Sequence, residues 1–126
     1  MDKIFHNGKL VAVRVRRFQD GIVPATGESD PLQLLTQKRP KGHVVKPHTH
    51  TPKKRVTALL QEGLIVIKGK IRVDLYGSDK KCFRKLMVKE GEAIVFFGIP
   101  HAVHFLEDSL AYEVKNGPFI DDKVSL

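Results

Sequence analysis

An all-β fold is predicted, and three observations carry the prediction. Apolar residues alternate with period two or gather in short runs, with no sustained three-to-four-residue spacing of an amphipathic helix. Nearly every such stretch is bounded by Gly, Pro or a charged turn. About nine short strands then follow at roughly ten-residue spacing without crossover helices, which implies a sandwich or barrel.

Lys9 to Arg17 alternates, with Val11, Val13 and Val15 on one face and Arg14 and Arg16 on the other, as a strand with one wet side does. Asp20 to Asp30 holds Gly21, Pro24, Gly27 and Ser29 and reads as a loop. Pro31 to Lys38 reads as the next strand, ended by Arg39-Pro40-Lys41-Gly42, and Val44 to His50 as an extended edge segment whose Pro47 lacks a ladder donor. Val56 to Leu60 and Leu64 to Ile67 are apolar and β-branched, the pattern of strands buried on both faces, with Gly63 a candidate bulge between them. Gly69 turns the chain into Lys70 to Tyr76, where Ile71, Val73 and Leu75 alternate with Arg72, Asp74 and Tyr76. Gly77-Ser78-Asp79-Lys80 is a hairpin turn into Cys82 to Val88, and Glu90-Gly91-Glu92 another into Ala93 to Phe97. His101 to Phe105 follows Gly98-Ile99-Pro100, and a last strand runs from Leu110 to Lys115.

A chain of 126 residues fits one domain, spanning 1–126. The opening Met-Asp-Lys-Ile-Phe-His-Asn-Gly-Lys is charged where a secretory signal needs an apolar run, and Cys82 is the sole cysteine, so a cytoplasmic location is expected. No apolar run approaches the ~20 residues of a membrane span. The net charge is +8. Between Pro31 and Gln61 there is no acid, whereas Lys38, Arg39, Lys41, Lys46, Lys53, Lys54 and Arg55 all fall there. Such a balance invites a nucleic-acid reading, but no Trp and only two Tyr leave no stacking platform for bases, which argues against it.

His48 and His50 are one residue apart, so on a strand both imidazoles project from the same face and can reach one metal ion. They end a Gly42-x5-His48-x-His50 element, and Glu62-x6-Gly69 follows. In these elements the chain resembles the cupin superfamily, whose first motif joins a Gly-x5-His-x-His element to a Glu-x6-Gly element. The second cupin motif is similar to Gly91-x6-Gly98-x2-His101. The resemblance implies a double-stranded β-helix, the cupin jelly-roll barrel, with its motif-bearing core at about 42–115. It also implies an interior divalent transition metal (Fe, Mn, Ni or Zn) on His48, His50, Glu62 and His101. Eleven residues, Thr51 to Gln61, separate His50 from Glu62, more than the family's usual spacing, and read as an insertion carrying Lys53, Lys54 and Arg55. Gln61, or no side chain, is the alternative to Glu62 as fourth ligand. His104 lies three residues from His101 and so faces the other way on a regular strand.

Glu113 and Lys115 share the face opposite Leu110, Tyr112 and Val114, a face that is either solvent or lumen. The run Tyr112 to Pro118 resembles the closing strand of small cupins associated with surface-sugar biosynthesis, which implies an acid/base role for Glu113. Three function classes follow. The first is a metal-binding cupin acting on a small anionic molecule, such as a sugar nucleotide or sugar acid, by isomerisation or oxygen-dependent oxidation. There Lys53, Lys54 and Arg55 attract the substrate, and Glu113 or a metal-bound hydroxide moves the proton. The second resembles metal-independent sugar ketoisomerases, with His48 or His50 as the base. The third is a ligand-binding cupin without catalysis. A homodimer is expected, as cupins commonly pair through sheet edges.

Overall fold

A computed structural model describes residues 1–126. Ten strands form three antiparallel sheets, none of them closed, with no helix: β1 (Asp2–His6), β2 (Lys9–Val15), β3 (Gly21–Pro24), β4 (Leu35–Lys38), β5 (Glu62–Lys68), β6 (Lys70–Tyr76), β7 (Cys82–Lys89), β8 (Ala93–Phe96), β9 (His101–Phe105) and β10 (Leu110–Lys115). The first sheet has the order β1-β2-β8-β5-β10 and the second β7-β6-β9, while β3 and β4 pair as a separate hairpin. The protein is therefore all-β, and the two larger sheets face each other as a sandwich.

The core lies between those sheets. Ile71, Val73 and Leu75, the alternating set of β6, are fully buried against Val66, Ile94 and Phe96 of the first sheet, with Leu86 and Val88 of β7 beside them. A period-two pattern puts these side chains on one face, and their burial drives the two sheets together. A smaller cluster, Val13, Val15, Ala25 and Ala93, forms beyond the other face of the first sheet.

Besides β3, a strand inside the stretch read as a loop and paired with β4, four segments depart from the sequence reading. β2 has no wet side: Ala12 is as buried as Val13, and Arg14 points inward, its guanidinium bonding Asp2 at 3.0 Å and the Met87 carbonyl at 2.9 Å. Both flanks of β2 carry apolar cover, so a long cation survives there only by reaching acceptors at the sheet rim. β1 is a strand where only a charged opening was read; its signal was Asn7-Gly8, whose φ values of 51° and 75° make the tight hairpin turn that Asn-Gly favours. Gly63 is no bulge, because it stays in register with Val95 and Val114. A Cβ there would lie 3.1 Å from the Ile94 carbonyl oxygen, so glycine serves close strand packing instead.

The fourth departure is the largest. Val44 to His50 and Val56 to Leu60 form no strands, and every residue from Arg39 to Leu60 is exposed. Val56 and Leu59, expected in the core, are 78% and 70% exposed. The segment carries six cations and no acid, and Pro40, Pro47 and Pro52 remove ladder donors at intervals. Self-repulsion and interrupted hydrogen bonding oppose a regular strand unless packing offsets them, and here no packing does.

Candidate functional site

Three of the residues singled out in the sequence meet in the gap between the sheets. Glu62 opens β5 and stands opposite Phe96 of β8 and Lys115 of β10, so all three side chains share the inward face. Glu113 stands opposite Leu64 on that same face, which settles its side of the strand: it faces inward. From the second sheet, His101 begins β9 opposite Leu75 and projects across the gap. Its Nε2 lies 3.0 Å from Glu62 Oε1, and its ring stacks on Phe96 with centroids 3.9 Å apart and planes 6° from parallel. Glu62, His101 and Glu113 line a pocket of about 170 Å³ whose other walls include Leu64, Val103 and Phe105. The same three line a wider cavity of about 840 Å³ that opens toward Lys80, Pro100 and Lys123.

His101 Nδ1 sits 2.8 Å from the Ile99 carbonyl oxygen, which only accepts, so Nδ1 donates there. Its Nε2 faces Glu62 Oε1 at 3.0 Å as a close imidazole–carboxylate contact flanked by the Phe96 ring. Glu113 is the other carboxylate at the pocket, with Lys115 Nζ 3.9 Å from its Oε2. An imidazole and two carboxylates lining one small open pocket are the side chains an acid/base arrangement uses.

His104, three residues on, lies on the outer face of β9, where its Nε2 is 3.1 Å from Asp74 Oδ2. Arg72 binds the same carboxylate through Nε and Nη2 at 2.9 and 3.2 Å, and its hydrogen bond holds the Asp74 carboxyl below its usual range against the opposing effect of burial. This outer cluster lines neither cavity described above.

The remaining sequence candidates lie elsewhere. His48 and His50 are exposed on the irregular segment; their rings meet edge-on at 5.2 Å, and His48 Nδ1 bonds the Lys46 carbonyl at 2.8 Å. The two imidazoles do not join Glu62 and His101, and no group of three or more His, Cys, Asp or Glu is placed to hold a metal ion. As placed, the four expected ligands therefore do not fit one coordination sphere; only Glu62 and His101 meet. The reason is the absent strand at 44–50, without which the shared-face argument for His-x-His has no sheet to act on. For the same reason His48 is not positioned as a base at this pocket, and Lys53, Lys54 and Arg55, all exposed, line neither cavity. Gln61 is committed to structure: it is buried, with its Oε1 accepting from Leu32 N at 3.2 Å and its Nε2 donating to Asp30 Oδ1 at 3.1 Å. Cys82 is a free, exposed thiol outside the site.

Lys80 and the Phe96 stack were missed from the sequence. Phe96 was readable only as a core residue, and Lys80 only as a hairpin tip. What brings that tip to the pocket is the long-range bond from Tyr76 N to the Pro100 carbonyl at 2.9 Å, which no local pattern announces. Fold and site together define an antiparallel β-sandwich with an imidazole–carboxylate pair between its sheets. No family model matches this chain, and no curated protein or solved structure does either.

Proposed function

We propose that this protein is a cupin-type jelly roll whose inter-sheet pocket takes a small anionic metabolite and moves a proton on it. The observation that carries the reading is the meeting of His101, Glu62 and Glu113 in one cavity between the sheets. The path of the chain supports the jelly roll. From β5 to β10 the strands pass between the two larger sheets in the order first, second, second, first, second, first. β9 and β10 each end a sheet with one edge unpaired, and both line the cavity.

The chemistry is transfer next to a carbonyl. Glu113 takes a proton from the hydroxyl-bearing carbon beside the substrate carbonyl, and His101, entering the reaction protonated, gives one to the carbonyl oxygen. An enediol results, and the reverse transfers at the neighbouring carbon complete an isomerisation with no net change in protons. Incubating the protein with keto sugar acids and keto forms of nucleotide sugars in deuterated water tests this. Exchange of a substrate C–H for C–D is expected, with Glu113→Gln and His101→Gln each lowering its rate by roughly 10²-fold or more. Exchange that survives both changes would sink the proposal.

A second reading, a metal-binding cupin, draws on the donor atoms. Glu62 Oε1 and His101 Nε2 are ligands that Fe, Mn, Ni or Zn accept, and they already stand 3.0 Å apart. His48 and His50 sit on a segment without a sheet partner. Its docking beside β9 would bring those two rings to the pair. Metal analysis of protein purified without an affinity tag decides this: about one equivalent of metal, lost in both His48→Ala and His101→Ala, supports it, whereas metal retained by His48→Ala excludes that ligand set.

A further inference from the structure

The acids and cations of the wider cavity are unequally partnered. Glu62 has His101, and Glu113 has Lys115. The two other charged side chains lining that cavity, Lys80 and Lys123, take part in none of the protein's ion pairs. The cavity therefore carries two ammonium groups without a side-chain counter-ion beside two carboxylates that have partners. An ammonium with no counter-ion, beside a concave site with low-dielectric walls, attracts and holds anions more strongly than one on a convex surface.

Lys80 is also the residue whose backbone is least suited to its type. It has φ of +63°, the left-handed region that a side chain disfavours and where glycine is at ease. The turn fixes it there: Lys80 N donates to the Gly77 carbonyl at 3.0 Å, and Gly77 N to the Lys81 carbonyl at 3.0 Å. Asp79 Oδ1 accepts from Lys81 N at 3.0 Å. At the foot of the hairpin, Tyr76 N donates to the Pro100 carbonyl, so the tip is registered to the turn that delivers His101. A lysine thus occupies a strained position where glycine would fold more easily, and it lines the cavity. Strain of this kind concentrates at ligand clamps.

We infer that Lys80 is the specificity-determining residue of this cavity, binding the carboxylate or phosphate of a small anionic ligand, with Lys123 assisting. The inference rests on the cavity being the binding site. It gives Lys80 the role that the sequence offered to Lys53, Lys54 and Arg55.

Two probes test it, inorganic phosphate and malonate, each titrated into isotopically labelled protein at constant ionic strength while the resonances of His101, Glu113 and Lys80 are followed. Saturable shifts are expected at these three residues, and the tighter probe identifies the oxyanion preferred. Lys80→Gln should weaken binding at least fivefold and Lys123→Gln about twofold, whereas a Lys53→Gln, Lys54→Gln, Arg55→Gln triple variant should bind as the parent does. Lys80→Gly guards against misreading a folding defect. It should leave the melting temperature unchanged or higher, because it relieves the positive φ, and still lose anion binding. Equal affinity in Lys80→Gln and the parent, with the His101 shifts intact, overturns the role of Lys80 and leaves the cavity reading standing. Shifts confined to residues 53–55, with none at His101 or Glu113, overturn both.

Discussion

Residues 39–60 and residues 62–115 are similar in one respect and opposite in another. Both contain β-branched runs and the residue types expected of a metal or acid/base centre, yet the second stretch builds both main sheets' shared core and the first lies wholly exposed. Glycine separates them. Gly69, Gly91 and Gly98, with φ of 95°, 80° and 70°, reverse the chain after short strands, so each apolar face returns onto the previous one. Between Arg39 and Leu60 the only glycine is Gly42, and the prolines that punctuate the rest interrupt hydrogen bonding without folding the chain back. A strand pattern becomes a strand when a turn hands it a partner.

The sharpest way to break that contrast is to truncate one leucine in each region. Leu75 is fully buried at the centre of the inter-sheet core, so Leu75→Ala should lower unfolding stability by about 2–5 kcal/mol through lost burial and the cavity left behind. Leu59 is 70% exposed, and Leu59→Ala should fall within about 0.5 kcal/mol of the parent. Denaturant midpoints at equal slope measure both. Similar losses would mean that the 39–60 segment packs in solution, which is what the metal-binding reading needs.

Gly69 sharpens the same point from the turn side. Its φ of +95° already disfavours any side chain, and a Cβ there would lie 2.7 Å from the Asp108 carbonyl oxygen and 2.8 Å from Ser109 Cα. Gly69→Ala should cost about 2 kcal/mol, the left-handed penalty plus displacement of the β9–β10 turn. A destabilisation below about 0.5 kcal/mol would show that the turn moves aside easily and that the glycine of the Glu62-x6-Gly69 element is not a steric requirement.

The two regions are joined by Asn116. Its Oδ1 accepts from Gln61 N at 2.8 Å, while its Nδ2 donates to Thr57 Oγ1 at 3.2 Å and the Leu59 carbonyl at 3.0 Å. Asn116→Ala should cost about 1–2 kcal/mol, since it leaves the buried-side amide of Gln61 without its acceptor. Hydrogen exchange should quicken at residue 61 in particular, and unchanged exchange there would remove the staple from the account.

These contrasts also explain what was legible in the sequence. The strands from Glu62 to Lys115 could be read because period-two alternation and turn chemistry are local; Glu62 and His101 were singled out through the glycine-spaced elements that resemble the cupin motifs, and Glu113 through the alternation of the last strand and its resemblance to a cupin closing strand. The opposite faces of His101 and His104 followed from parity alone. What escaped reading was everything that depends on which strand lies beside which: the inward aim of Arg14, the reach of Lys80, and the fate of Val44 to His50. A run with strand composition holds no information about whether an edge is open to receive it.

The outer face of β9 supplies the smallest test. His104 and His101 each meet one carboxylate, but Asp74 is also gripped by Arg72, whose hydrogen bond keeps its carboxyl below the ordinary value of 3.8; burial opposes this, and the charges of Arg72, Lys85 and His104 reinforce it. Because the folded state binds that proton less readily than the unfolded chain, the contribution to stability is fully present above about pH 4 and is lost as pH falls toward the lower folded value. Asp2, held down by Arg16 and Arg14, acts in the same direction. Asp74→Asn should therefore lose stability at neutral pH, and its deficit relative to the parent should narrow as pH drops from about 5 to about 3. Paired denaturation curves across that range read the difference, and a deficit constant with pH would show that Arg72 stabilises Asp74 by packing alone rather than through its charge.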